Sequence, residues 1–268
     1  MIGIFDSGVG GLYALREARR RMPQADFVYF ADEANLPYGD KDEKTILRLG
    51  RGAVKRLRDA GATAILAACG TVGSVALPAL QKAFPDLPIS GILDPLARAV
   101  KEAYRLRGGG ILLLGTRATV RAGVLEQKIR AFTTHVPLFA LPCPGFVPLA
   151  EAGICDPDSA GDRAAVAAIL AAAASLNGAA SRDGITYRDE AADVSANVVV
   201  LGCTHFSALA PIIRALMPRA AVIDGAKEGA AAWVYSLPEA ARSGNGTVQY
   251  LSSGDPAALA RAAGRVME

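Results

Sequence analysis

Two segments far apart in the chain have the same form. Ala64-Ile-Leu-Ala-Ala-Cys69-Gly-Thr71 and Val198-Val-Val-Leu-Gly-Cys203-Thr204-His205 are each an apolar run ending in a cysteine. Hydroxyl residues follow in both, and then a helical pattern begins. Short β-rich runs that alternate with helical patterns argue for an α/β protein with parallel strands. Such a protein places reactive groups at the carboxyl ends of its strands. The two thiols therefore take equivalent places. If the halves face each other, one thiol sits on each side of a bound substrate. That arrangement suits removing a proton from one face of a carbon and returning one to the other.

The alternation continues along the chain. Strands are predicted over residues 2–5, 27–31, 65–68, 89–92, 111–114, 138–141, 198–201, 222–224 and 248–251. Helices are predicted over 12–22, 41–60, 74–84, from Asp94-Pro95 onward, and over 120–132, 147–152, 159–176, 207–217 and 256–266. Asp40 and Asp42 are cap candidates for the second helix, which Gly61 ends. Residues 179–196 are polar and irregular and read as a surface excursion. The Gly115-Thr116 turn repeats the place of the Asp6-Ser7-Gly8 turn, and the tail is expected to pack back on the first unit. The expected fold is α/β, with two pseudosymmetric domains of mostly parallel sheet flanked by helices and a cleft between their strand ends. Residues 1–94 plus 207–268 form the first domain, with Asp6 and Cys69; residues 95–206 form the second, with Thr116 and Cys203.

Composition excludes several classes. The 29 basic and 26 acidic side chains leave a formal charge of +3, too balanced to argue for a nucleic-acid partner. Arg19-Arg20-Arg21 reads as a solvated helix face. The longest apolar run, Ala164 to Ala174, is far short of the ~20 residues that span a bilayer. No charged and apolar leader precedes the first strand, so a cytoplasmic location is expected. The four cysteines show no CxxC spacing and read as free thiols.

The glycines of Asp6-Ser7-Gly8-Val9-Gly10-Gly11 allow a tight turn and leave N–H groups free at a helix start. The GxGxxG spacing would place its third glycine at Tyr13, so a dinucleotide site fails, and no GK[ST] follows for a P-loop. A small anion such as a carboxylate remains, beside a purely structural turn. Asp6 reads as a strand-end carboxylate or as a cap. A helix start lowers a thiol pKa, which would make Cys69 and Cys203 reactive. Cys203-Thr-His205 has the wrong spacing for a zinc ligand pair. In an extended segment His205 would point the same way as Cys203 and could activate it, as in a Cys–His hydrolase. That reading leaves Cys69 unexplained. Pro37-Tyr38-Gly39, after the second strand, is a turn that exposes backbone groups. Thr116 and Thr119 lie at a helix start, as caps or as carboxylate ligands.

With these residues assembled, the chain resembles the glutamate racemases of the aspartate/glutamate racemase superfamily. The resemblance covers nearly the whole chain, through IGIFDSGVGGL, YFADEANLPYGDK, ILAACGT, GILDPLARA, LLLGTRATV, CPGFVPLAEAG and VVVLGCTHF. It implies two pseudosymmetric α/β domains around a small-molecule site, no cofactor, no metal, no nucleic acid and no membrane, and it is compatible with a homodimer. It implies Cys69 and Cys203 as two bases on opposite faces of the α-carbon, with Asp6 assisting Cys69, and His205 and Glu151 assisting Cys203. It further implies substrate contacts from Ser7, Pro37, Tyr38, Gly39, Gly70, Thr71, Thr116, Thr119 and Thr204. The chain departs from the family where Gly70 replaces the usual Asn, where Phe206 replaces the commoner Tyr, and where Asp94 replaces a frequent Glu. The expected activity is interconversion of L- and D-glutamate, supplying D-glutamate for peptidoglycan. An aspartate or hydantoin racemase, or a non-catalytic binding protein for an acidic amino acid, are the other readings.

Overall fold

The structure, a computed structural model, describes residues 1–133, 135–178 and 196–267. The excursion expected over 179–196 lies outside the described residues except for Ala196, which opens a strand. In chain order the elements are β1 (Ile2–Asp6), α1 (Leu12–Arg21), β2 (Phe27–Ala31), α2 (Glu43–Asp59), β3 (Ile65–Ala67), α3 (Gly70–Val75), α4 (Leu77–Ala83), β4 (Ile89–Gly91) and α5 (Leu93–Arg107). There follow β5 (Gly110–Gly115), α6 (Arg117–Ala122), α7 (Val124–Arg130), β6 (Leu138–Pro142), α8 (Phe146–Glu151), α9 (Ala160–Gly178) and β7 (Ala196–Leu201). The chain ends with α10 (Phe206–Leu216), β8 (Ala221–Asp224), α11 (Gly225–Ser236), β9 (Val248–Ser252) and α12 (Pro256–Met267).

The strands form two sheets, β4-β3-β1-β2-β9 and β6-β5-β7-β8, and every pairing is parallel. Parallel neighbours need crossover connections, and the crossing helices cover both sheet faces. β1, β2 and β3 are accordingly buried at every residue. Successive residues serve different cores because side chains alternate across a strand. Ile4, Tyr29 and Leu66 of the first sheet share a core with Leu113 and Val200 of the second, together with Leu96 of α5 and Trp233 of α11. Phe5 and Phe30 face the opposite way, onto Ile46 and Val54 of α2. Leu112 and Val199 likewise face Phe146 of α8 and Leu209 of α10. The two halves are thus joined through a common layer of helices.

In each sheet the chain leaves a central strand to one side and returns on the other: β1 lies between β2 and β3, and β5 between β6 and β7. Such reversals open a crevice at the carboxyl ends of the strands. The tail returns as expected, with β9 pairing to β2. Residues 207–224, assigned to the first unit from sequence, sit with the second instead: β8 pairs with β7, and α10 packs on the second sheet. An apolar strand carries no mark of which sheet edge it joins. Among the described residues, no helix is long and apolar enough to cross a membrane.

Two predicted helices are each broken. The helix expected over 74–84 starts earlier, at Gly70, and divides at Ala76, just before Pro78, which has no N–H to continue the ladder. The helix expected over 120–132 starts at Arg117 and divides at Gly123, whose φ is 66°. Helix α11 is absent from the sequence-based expectation, because its Ala/Gly-rich sequence has no apolar stripe. Its signal is the cap: Asp224 Oδ1 accepts from the backbone N–H groups of Ala226 at 3.0 Å and Lys227 at 3.3 Å, and from Ser207 Oγ at 2.7 Å. Asp224→Ala is expected to lower the unfolding free energy by about 0.5–2 kcal/mol, the range for a lost N-cap. Urea denaturation of the variant against the wild-type chain measures it, and an unchanged midpoint would contradict the capping role.

Candidate active site

Strand register places the two thiols. β1 and β3 pair as far as Phe5 opposite Ala67, so the next outward-facing positions are Ser7 and Cys69. β5 and β7 pair as far as Leu114 opposite Leu201, which puts Thr116 and Cys203 in the same relation. Each half therefore offers one thiol and one hydroxyl at its strand reversal. In the first half the Cys69 thiol donates to Ser7 Oγ over 3.9 Å. In the second, Thr116 Oγ1 accepts from the Thr119 backbone N–H at 3.2 Å, capping α6, and lies 3.0 Å from Thr119 Oγ1.

Hydrogen bonds cross between the halves. Thr204 Oγ1 donates to Asp6 Oδ2 at 2.8 Å, while Asp6 Oδ1 accepts from the Gly8 N–H at 3.1 Å. Thr71 Oγ1 lies 3.0 Å from Thr116 Oγ1. Glu151, the last residue of α8, accepts from the Val9 N–H at 3.2 Å and stands 2.6 Å from His205 Nε2. The other ring nitrogen, Nδ1, is 3.9 Å from Cys203 Sγ. The Cys203-Thr204-His205 segment is a turn rather than the extended stretch expected, with Phe206 N–H bonded to Cys203 O at 3.1 Å. The thiol–imidazole contact is kept nonetheless.

The two thiols meet opposite electrostatic surroundings. Cys69 is the N-cap of α3, yet its thiol is pushed up to about 12 by burial and by the nearby Asp6 carboxylate. The helix start was expected to lower it; a hydrogen bond from Val72 does act that way and is outweighed. Asp6 is itself raised by burial, against the pull of His205 and of its hydrogen bonds. Burial alone would push His205 down, but its bonds to Cys203 and Glu151 prevail and hold it well above the usual imidazole range. Glu151 is the complement, lowered despite burial because it faces His205. Cys69 thus lies near a carboxyl group that raises it, while Cys203 lies beside an imidazole that its own partners raise.

Two buried thiols at equivalent ends of two parallel sheets, with hydrogen bonds crossing between the halves around them, agree with what sequence comparison finds. The family model described as Asp/Glu/Hydantoin racemase matches residues 14–233. The chain belongs to the Asp/Glu/Hydantoin racemase family. It is 35% identical over 275 residues to a protein named glutamate racemase from Thermus thermophilus, covering 100% of this chain and 92% of that one. Among solved structures it is similar to glutamate racemase from Thermus thermophilus in complex with beta-chloro-D-alanine, at 34% identity and TM-score 0.74, covering 100% of this chain and 93% of that one. It is also similar to glutamate racemase isoform RacE1 from Bacillus anthracis, at 25% identity and TM-score 0.78, covering 99% and 92%.

In this racemase-family chain the fold brings together Asp6, Ser7, Cys69, Thr71, Thr116, Thr119, Glu151, Cys203, Thr204 and His205. Gly39 lies against Thr116. Pro37 precedes that turn, joined to Leu36 by a cis peptide bond. The Tyr38 hydroxyl is buried and donates to Asp32 Oδ2 at 2.5 Å. Asp94 is an exposed ion-pair partner of Lys128. Two supporting residues lacked a sequence signal. Tyr29, inside an apolar strand, donates its hydroxyl to Gly8 O at 2.6 Å and pins the loop after β1. Asp32 accepts from Tyr38, Asn35 and Ser253, fastening the 37–39 turn to the C-terminal strand.

The Glu151–His205 pair sets a pH window. His205 is raised above its unfolded value, so its contribution to stability is full below about pH 6.5 and fades as pH rises through the higher folded value. Glu151 is lowered, so its contribution is full above its ordinary pKa and fades as pH falls through the folded value. Glu151→Gln is therefore expected to lower the His205 titration midpoint, followed by the imidazole proton signals in NMR. Its stability cost should be largest in the mildly acidic range where both groups are charged. A midpoint unmoved by the substitution would show that the pair does not hold the charge.

Proposed function

We propose that this chain is a glutamate racemase that uses Cys69 and Cys203 as two bases on opposite faces of the substrate α-carbon, with no cofactor. The observation that supports this reading is the pair of buried thiols at equivalent strand ends of the two sheets, with hydrogen bonds crossing between the halves around them. The names and coverage of the relatives favour glutamate as substrate.

The α-hydrogen of an amino acid is very weakly acidic, so both its removal and its replacement need positioned groups. In the proposed cycle the thiolate on one face takes the α-proton as the C–H bond breaks. The electron pair is left on the α-carbon and spreads into the α-carboxylate. The thiol on the other face then donates its proton to that carbon. One thiol and one thiolate remain, with their places exchanged, and the reverse reaction starts from the opposite sulfur. Asp6 serves the proton balance at Cys69, while His205, held by Glu151, stabilises negative charge at Cys203. Ser7, Thr71, Thr116, Thr119 and Thr204, with the backbone of the 37–39 turn and of Gly70, hold the two carboxylates and the ammonium. Fixing the α-carbon between two bases in this way removes much of the entropic barrier. Residues 95–224 are proposed as the second domain and the remainder as the first, since β8 pairs with β7. The proposed role is supply of D-glutamate for peptidoglycan in the cytoplasm.

The test is proton NMR of L-glutamate and of D-glutamate with the protein in deuterium oxide, with circular dichroism in parallel. Loss of the α-proton signal and decay of optical activity are expected from both enantiomers. Cys69→Ser and Cys203→Ser should each lower kcat by about 10²–10⁴-fold, the usual worth of a positioned acid or base. Undiminished racemisation by Cys203→Ser would overturn the two-base reading, and faster turnover of aspartate than of glutamate would overturn the substrate assignment.

A further inference from the structure

Tyr29 is buried in the middle of β2, opposite Ile4 of β1, and the proposed proton transfers make no use of it. Its hydroxyl donates to Gly8 O at 2.6 Å. That carbonyl and the N–H of Val9 belong to one planar amide. The same N–H donates to Glu151 Oε1 at 3.2 Å. A single peptide group is thus held on both sides, by a phenol of the first half and a carboxylate of the second. Glu151 Oε1 in turn stands 2.6 Å from His205 Nε2, and His205 Nδ1 lies 3.9 Å from Cys203 Sγ. A line of contacts therefore runs from a strand of the first half to the thiol of the second through one backbone amide.

Two glycines leave room for this line. A Cβ on Gly8 would stand 2.5 Å from Glu151 Oε1, and one on Gly11 would stand 2.7 Å from the Tyr29 hydroxyl. Both are closer than non-bonded heavy atoms rest, at about 3.5 Å. The Tyr29 ring packs edge-on against Tyr250 of β9, with centroids 6.5 Å apart. Burial, with Asp6 and Glu151 close by, raises Tyr29 well above the usual phenol range, so its hydroxyl stays a donor. A carbonyl that accepts a hydrogen bond polarises its amide and makes the N–H a stronger donor.

We propose that Tyr29 is a positioning residue for the Cys203 side of the site: by holding the Gly8–Val9 amide, it fixes Glu151 Oε1 against His205. The inference rests on the two-thiol reading above, in which His205 stabilises negative charge at Cys203. Without the hydroxyl, the buried Gly8 carbonyl loses its donor and the amide is free to turn. Oε1 then loses the N–H that anchors it beside the imidazole. The titratable groups around His205 are Asp6 at the end of β1, Glu151 of α8, Cys203 after β7 and, around the cavity that the imidazole lines, Tyr13 of α1, Cys155 and Arg265 of α12. Glu151 is the one bonded to this amide; Asp6 accepts from the Gly8 N–H, which belongs to the preceding one.

The experiment is a double-mutant cycle of Tyr29→Phe and Glu151→Gln, reading kcat and KM for glutamate and the His205 midpoint from the imidazole proton signals. Tyr29→Phe keeps the ring and removes the donor. It should lower kcat about 3–10-fold, the worth of one hydrogen bond, leave KM near the wild-type value and lower the His205 midpoint. In the Glu151→Gln background it should lower neither further, because sites that act through one another are not additive. A midpoint that stays or rises in Tyr29→Phe overturns the proposal, as does an equal loss of kcat in both backgrounds, which is what a loosened core alone would give. Failure of Tyr29→Phe to fold also overturns it, because the hydroxyl would then hold the core and not only Glu151. The wild-type chain supplies a second measurement: the Val9 amide proton should follow the His205 titration with the same midpoint, since both N–H groups meet Oε1, and a Val9 signal that does not respond overturns the proposal. A wild-type chain inert toward L- and D-glutamate would instead defeat the two-thiol reading, while the two NMR titrations would still decide the role of Tyr29.

Discussion

Parallel strand pairing is the constraint on which the rest of this molecule depends. A parallel neighbour can be reached only by a crossover, and the crossovers bring helices that seal both faces of each sheet. With the faces closed, the carboxyl ends of the strands are where the chain can present polar groups in concert. Both sheets reverse their winding at a central strand, and the strand-end crevices open at those reversals. Register carries Ser7 and Cys69 to one reversal and Thr116 and Cys203 to the other. The shared helical layer, with Leu96 and Trp233 between the sheets, turns those ends toward each other.

The two halves share backbone geometry but not charge. Burial and the nearby Asp6 raise Cys69, while contacts with Cys203 and Glu151 raise His205. The difference arises from the neighbours within each half, burial and Asp6 at Cys69 and the Cys203 and Glu151 contacts at His205, while hydrogen bonds tie the halves together: Thr204 of the second binds Asp6 of the first, and Val9 of the first binds Glu151 of the second. Under the proposed reaction, which needs one sulfur protonated and the other not, the two sulfurs have different neighbours: a buried carboxyl group near Cys69 and an imidazole beside Cys203.

Much of this is legible in the chain. The apolar runs ending at Cys69 and Cys203 mark two strands and place both cysteines at their carboxyl ends, because a buried parallel strand leaves a continuous apolar signature. Asp42 and Gly61 bound α2 as cap and stop. Other features leave no such trace. The boundary at residue 206 fails because sheet membership of β8 is a long-range choice. The broken helices at Ala76 and Gly123 depend on a proline and a left-handed glycine inside runs that otherwise continue the pattern. From sequence, Pro37-Tyr38-Gly39 reads as a turn that exposes backbone groups, and only the fold shows the bond of the Tyr38 hydroxyl to Asp32.

By itself, the sequence determined the α/β class, the two strands that end in a thiol, and the acidic, imidazole and hydroxyl residues that follow or precede them. These are set by local period and by residue type, which act over a few neighbours. The tertiary structure decided which sheet each strand joins, which hydroxyls cross between the halves, and that Cys69 is raised by burial where its helix start alone would lower it. It also decided that Gly70 meets a backbone carbonyl 132 positions further along the chain. Burial, cross-sheet hydrogen bonds and steric contact act between residues distant in sequence, so they exist only once the two halves have closed on each other.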